Sequence, residues 1–497
     1  MIELDGRTLT LKSARAVVFN GEAVTPSGDA VRRVERSRRI VEEIVASGRP
    51  VYGINTGFGR LSNTSIPRES LADLQRNIVL SHAVGTGDLL SGEGVRALLL
   101  FRINSLLHGQ SGIRLEPLSY LMDFLNHGIH PCVPVQGSVG SSGDLAPLAH
   151  LCLPLLGEGT AIHDGEQIDG AEALRRIGRP ALELAPKEGL ALLNGTQFMA
   201  ALGFLLHVRG KRLLENAIAA AALSVEALRG FTAPFDDRLQ QARPHPGQAA
   251  IAAAMRALLS GSGLVDTVEE DVQDAYSLRC IPQVLGPAHE ALAALERTLT
   301  IEINAATDNP LIFEDGVVLS GGNFHGQILG LALESASMAL AEVGAISERR
   351  IDRLLTSPGR GLPLFLVRES GLNSGLMLLQ YTAASLVSEN RILAHPALVD
   401  SIPTSGGKED HNSLAPLSGR KGLRIVDNLE RIAAIEYLCA AQALDLRRAG
   451  PLAPATQQIH ERIREFVAPL ERDRTLAPEL ERLTAAVAAG EVVRDLL

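Results

Sequence analysis

Apolar residues recur every three or four positions along Thr196-Gln-Phe-Met-Ala-Ala-Leu-Gly-Phe-Leu-Leu-His-Val-Arg-Gly-Lys-Arg-Leu-Leu-Glu-Asn-Ala-Ile-Ala-Ala-Ala-Ala-Leu-Ser-Val-Glu-Ala-Leu228, interrupted only by glycines that a helix tolerates. That period is helical. At about 1.5 Å per residue, one helix over this stretch spans roughly 50 Å. Similar long patterns run through 287–305, 324–355, 373–394 and 422–449. The stretch 324–355, apolar around much of its circumference, points to burial by partner subunits. The fold class that follows is mainly α, with long antiparallel helices in a central bundle and a smaller mixed N-terminal part.

Composition agrees. Hydrophobic residues make up 46% of the 497 and charged residues 21%, so the chain is globular. Aromatics are 3% with no Trp, so Leu, Ala, Val and Ile must fill the interior. The first 25 or so residues read as short strand and turn, Leu9 and Leu11 alternating with polar neighbours. An amphipathic stretch follows over 30–45, and 69–84, 92–108 and 116–127 also read as helices. The expected division is 1–195 for the N-terminal part and 196–497 for the long-helix core and C-terminal helices. A formal charge of −10 without a basic block argues against nucleic acid. No run approaches the ~18 apolar residues of a membrane span, and Met1–Arg7 has no signal-peptide character. Cys132, Cys152, Cys280 and Cys439 lack metal-type spacing, as expected of a reduced cytoplasm. His127-x-x-His130 has no third ligand nearby, so no metal is expected.

Upstream of the long helix lies Gly137-Ser-Val-Gly-Ser-Ser-Gly-Asp-Leu-Ala-Pro-Leu-Ala-His150. It is no phosphate cradle, because the Gly-Lys-Ser/Thr ending is absent. Nor is it a nucleophile elbow, because no serine has the Gly-x-Ser-x-Gly setting. Two readings remain. One is a plain loop before a helix, N-capped by a serine or Asp144, with Pro147 tolerated in the first turn. The other is a reactive turn at a helix N-terminus, where the dipole favours developing negative charge.

Further polar segments break the aliphatic background: Tyr52-Gly-Ile-Asn-Thr-Gly-Phe-Gly59, Asn77-Ile-Val-Leu-Ser-His82, Leu193-Asn-Gly-Thr-Gln197, Asp271-Val-Gln-Asp-Ala-Tyr-Ser-Leu-Arg279, Asn323-Phe-His-Gly326 and Glu409-Asp-His-Asn412. In the fourth, Gln273, Tyr276 and Arg279 fall near one helical face. Any one of these residues reads most simply as a structural partner. Together they supply an arginine for a carboxylate, tyrosines for acid–base work and carboxamides for orientation, the means of holding an amino acid.

Taken together, these segments resemble the histidine/phenylalanine ammonia-lyase family from about Tyr52 to beyond His411. The glycine/serine run, Thr307-Asp-Asn-Pro310 and Gly322-Asn-Phe-His-Gly326 are its most specific marks. The resemblance implies a homotetramer of long helices and a self-made electrophile, 4-methylidene-imidazole-5-one. That ring would form from Ser141-Ser142-Gly143 when the Gly143 amide nitrogen attacks the Ser141 carbonyl carbon and two waters leave. Position 141 departs from the family, with serine where alanine is usual. The resemblance further implies that Tyr52 removes the β-proton, with its phenol pKa lowered or the optimum pH alkaline. It also implies that Arg279 clamps the α-carboxylate, and that Asn194, Gln273 and Tyr276 orient ring and substrate. Phe324 would pack against them, with His82 and Glu409 beside the substrate's own ring.

Ser81-His82 and a glutamate suit an imidazole, which both donates and accepts a hydrogen bond. The reaction expected is therefore L-histidine to trans-urocanate and ammonia. Gly406-Gly407-Lys408 departs from the family's pattern. It leaves open a substrate such as an N-methylated or thiolated histidine, another aromatic amino acid, or an aminomutase reaction. An inactive helical scaffold is the remaining reading, and Tyr52, Asn194, Tyr276 and Arg279 argue against it.

Overall fold

The stretch that predicts a long helix forms one over Gln197–Ala227. The computed structural model describes the chain apart from Ser62, Glu270, 357–359, 448–449, Leu497 and the Arg60 side chain. Other long helices are Ile281–Glu302, Gln327–Thr356, Met377–Leu393 and Ala415–Arg447. The first starts ahead of the expected 287 and carries Pro287 within it. The last likewise begins earlier than the expected 422.

The residues fall into two compact units that interleave along the chain and do not divide it at residue 195. The first comprises Met1–Leu205, Glu296–Leu333 and Pro396–Arg420, and the second Leu206–Leu295, Glu334–His395 and Lys421–Leu497. Four of the five boundaries fall inside long helices, and the fifth falls between His395 and Pro396. A sequence break placed at a helix start cannot mark them.

In the first unit, Ile2–Leu4 pairs in parallel with Val24–Pro26. The reading of residues up to 25 as strand and turn is corrected here, because Leu11–Asn20 is a helix. The Thr10 hydroxyl accepts from the Ser13 amide and Gly21 closes the far end in the left-handed region, so caps outweigh the Leu9/Leu11 alternation. Helix Gly28–Ser47 follows its Ser27 cap and buries Val41 and Ile44 against Ile54 and Ile312. That cluster fixes the base of the Tyr52 loop and of the hairpin Leu311–Ile312/Val318–Leu319.

The second unit has a charged centre. Glu436 is wholly buried and accepts from Arg350 Nε at 2.6 Å, Arg350 Nη2 at 2.9 Å and Ser224 Oγ at 2.7 Å. A buried carboxylate is tolerable only when paired and hydrogen-bonded in this way. Contrary to the expectation that no stretch suits a membrane crossing, Gln327–Thr356 is long and apolar enough for one. Half of its apolar window is buried, and its Glu334 pairs with Lys421 at 2.9 Å, as in a protein core.

Candidate active site

The glycine/serine run leaves strand Pro134–Gln136 and enters helix Leu145–Cys152. Between them the backbone enters the left-handed region at Gly140, Ser142 and Gly143, with φ of +73°, +52° and +77°. A non-glycine residue such as Ser142 is strained there. At Gly143 a side chain is impossible, because a Cβ would overlap the Gly195 backbone. The Asp144 amide seals the contact by donating to the Gly195 carbonyl at 2.8 Å. Asp144 stands at the N-cap position, yet its carboxylate caps nothing on its own helix. It accepts instead from the Met199 amide at 3.0 Å and Ser138 Oγ at 3.3 Å. Complete burial pushes its carboxyl up to about 7 despite these donors.

Behind this turn, Asn194 Nδ2 donates to the Ser142 carbonyl at 2.6 Å, while Asn194 Oδ1 is buried without a partner. Arg102 holds the Asn194 segment from below. Its guanidinium is fully buried and donates to the Asn194 carbonyl at 2.9 Å, to Gln197 Oε1 at 2.6 Å and to the Ala191 carbonyl.

Ser142 faces a cavity of about 680 Å³ within the first unit, lined also by Tyr52, Phe58, Leu74, Asn77, Ser81, His82, Leu190, Asn194, Ser405 and Glu409. Burial raises the Tyr52 phenol pKa, and the carboxylates Glu409 and Asp308 add to the rise against a hydrogen bond from the Gly59 backbone. Burial lowers the His82 pKa, so its ring is neutral near pH 7. His82 Nδ1 lies 3.0 Å from Ser81 Oγ. Beneath Tyr52, Lys187 and Asp308 form a buried ion pair at 2.7 Å. Gly53 packs on Leu190 and Pro310 with φ +74°.

Six of the residues singled out in the sequence therefore come together: Tyr52, His82, Ser141, Ser142, Asn194 and Glu409. Gly143 forms the floor of the turn. Phe324 belongs to the same unit, half-buried, but does not line the cavity. Gln273, Tyr276 and Arg279 belong to the second unit. The single helical face expected for them is corrected: the helix covers only Tyr276–Arg279, and Gln273 precedes it. The Arg279 guanidinium sits 4.5 Å from the Tyr276 ring centroid. Gln273 and Arg279 line a second cavity of about 420 Å³. Lys408 is exposed and absent from the first cavity's lining. Sequence reasoning passed over Arg102, Thr404 and Ser405. Arg102 carried a signal, a lone cation in the apolar run Leu98–Leu107; the two loop hydroxyls carried none.

The aromatic amino acid lyase family model matches residues 9–465, and the chain belongs to that family. A histidine ammonia-lyase of Symbiobacterium thermophilum is 50% identical over 490 residues, 98% of this chain and 97% of that protein. The crystal structure of histidine ammonia-lyase from Trypanosoma cruzi matches at a TM-score of 0.92 and 41% identity, over 100% of this chain and 94% of that one. Ergothionase from Treponema denticola, an ergothioneine-degrading enzyme, matches at 0.95 and 31% identity, over 99% of each chain.

Proposed function

We propose that this chain eliminates ammonia from L-histidine to give trans-urocanate, in the cytoplasm and as a homotetramer. One observation carries the reading: a single cavity holds a strained serine, a tyrosine and, beside them, a neutral histidine and a glutamate. The relatives named histidine ammonia-lyase support it.

The turn fits a methylidene-imidazolone formed from Ser141-Ser142-Gly143. Gly143 has no side chain to obstruct closure, Asn194 grips the Ser142 carbonyl, and the unpartnered Asn194 Oδ1 remains to be satisfied. Such a ring supplies an electron-poor alkene that turns the substrate nitrogen into a better leaving group. The chain's own side chains do the rest. Tyr52 Oη takes the β-proton. His82 and Glu409 hold the imidazole, and the apolar wall of Leu74, Ile78 and Leu190 excludes water. The cavity's described lining has no lysine or arginine for the α-carboxylate. In the proposed homotetramer Arg279 provides that clamp, with Gln273 and Tyr276 orienting the substrate and Phe324 packing against it. Assembly is supported by exposed apolar side chains such as Ile328, Leu331, Leu378 and Ile392. Lys408 lies outside the lining, so that residue lends no support to a modified histidine.

Purified protein given L-histidine should develop the ultraviolet absorbance of urocanate. Inert histidine alongside a turned-over N-methylated or thiolated analogue would overturn the substrate assignment. His82→Leu should lower kcat/KM for histidine about ten- to a hundredfold, the cost of leaving a buried polar partner unpaired, and phenylalanine should gain relative to it. Unchanged selectivity between the two would remove His82 from substrate recognition.

A further inference from the structure

Glu409 is held by hydroxyls on both of its oxygens. Its Oε2 accepts from Ser141 Oγ and, at 3.0 Å, from Thr404 Oγ1, and the two hydroxyls lie 2.9 Å apart. Its Oε1 accepts from Ser142 Oγ at 3.1 Å. The backbone of Thr404 and Glu409 forms a bridge, with the Thr404 amide donating to the Glu409 carbonyl at 2.8 Å. The loop is thus closed on itself, and Ser141 and Ser142 are its side-chain ties to the glycine/serine turn.

Ring formation treats these two serines differently. As the bond between Gly143 N and Ser141 C forms, the Ser141 carbonyl oxygen leaves as water with the amide hydrogens of Ser142 and Gly143. The Ser142 hydroxyl leaves as the second water with that residue's α-hydrogen. The Ser142 Oγ atom, and with it the donor on Glu409 Oε1, is lost. The Ser141 hydroxyl takes no part and survives.

We infer that Ser141 is a specificity-determining positioning residue. With Thr404 its hydroxyl pins Glu409 Oε2, so that Oε1, vacated by Ser142, faces the cavity and accepts the N–H of an imidazole-bearing substrate. The inference rests on the proposed elimination from histidine and extends it to a side chain that the cyclisation does not use. An alanine at 141 would close the same ring and leave Glu409 with Thr404 alone.

The test compares wild type, Ser141→Ala and Ser141→Thr, with intact mass reporting loss of two waters in each. With the ring formed in all three, Ser141→Ala should raise KM for L-histidine about tenfold, the scale of one hydrogen bond to a charged group, and change kcat by less than about twofold. Ser141→Thr, which keeps a hydroxyl, should restore KM. A readout independent of the ring uses the Ser142→Ala background. There, adding Ser141→Ala should weaken binding of trans-urocanate about tenfold and leave trans-cinnamate, which has no ring N–H, unchanged. Equal loss for both ligands, no loss for either, or loss of ring formation in Ser141→Ala would overturn the inference. Failure of ring-bearing wild type to deaminate histidine would instead overturn the proposed reaction, and the two urocanate affinities remain readable in that case.

Discussion

Ser142→Ala is expected to lower kcat/KM on the order of ten-thousandfold or more, as when the reacting group itself is removed. The fold should survive. Ser142 is half-buried at the cavity wall, its side chain's hydrogen bond runs to Glu409, and alanine meets the same left-handed backbone at φ +52° with similar strain. Thermal unfolding should therefore stay within about 1 kcal/mol of wild type. Intact mass should show no water loss from the variant. Full turnover by Ser142→Ala, or by wild type with an uncyclised tripeptide, would remove the proposed electrophile.

Tyr52→Phe should bind substrate with little change yet turn it over about a hundred- to ten-thousandfold more slowly, the range for losing a positioned proton acceptor. The pH profile separates this role from packing. Only the phenolate can accept the β-proton, so activity rises with pH as Tyr52 ionises. Burial and the carboxylates Glu409 and Asp308 move that ionisation above its ordinary range near 10. With Tyr52 as the base, that direction favours an alkaline optimum over a lowered phenol. Between pH 8 and 9 the rate should climb about tenfold, as one deprotonation below its pKa requires. In Tyr52→Phe this dependence should vanish. A flat profile in wild type, or near-normal turnover in the variant, would take Tyr52 out of the base role.

The long helices were legible because aliphatic periodicity over twenty or thirty residues leaves no alternative structure, as Gln197–Ala227 shows. Short helices were not. Leu11–Asn20 hid behind a two-residue alternation, and its Thr10 cap went unread. The helix from Ile281 starts before the expected 287 and continues through Pro287. At the site, glycines in a polar run marked the turn, because close backbone approach excludes every other residue at Gly143. What composition could not reveal was partnership across distance. The Asn194 amide on the Ser142 carbonyl, Arg102 beneath Asn194, and Thr404 on Glu409 join residues that share no local pattern. Gln273, Tyr276 and Arg279 formed a motif in sequence but belong to the other unit, where one short helix carries Tyr276 and Arg279 and leaves Gln273 outside it.

On the proposed chemistry, the meeting of Gly143 with Gly195 would also make maturation a quality check. The backbone around Gly143 is shaped by a segment that is synthesised later and is held by Arg102 through hydrogen bonds to backbone and amide oxygens. A nascent chain that has not yet delivered Gly195 to its seat lacks this contact on the turn. On the proposed chemistry, such a copy stays chemically inert, and only correctly assembled molecules arm themselves.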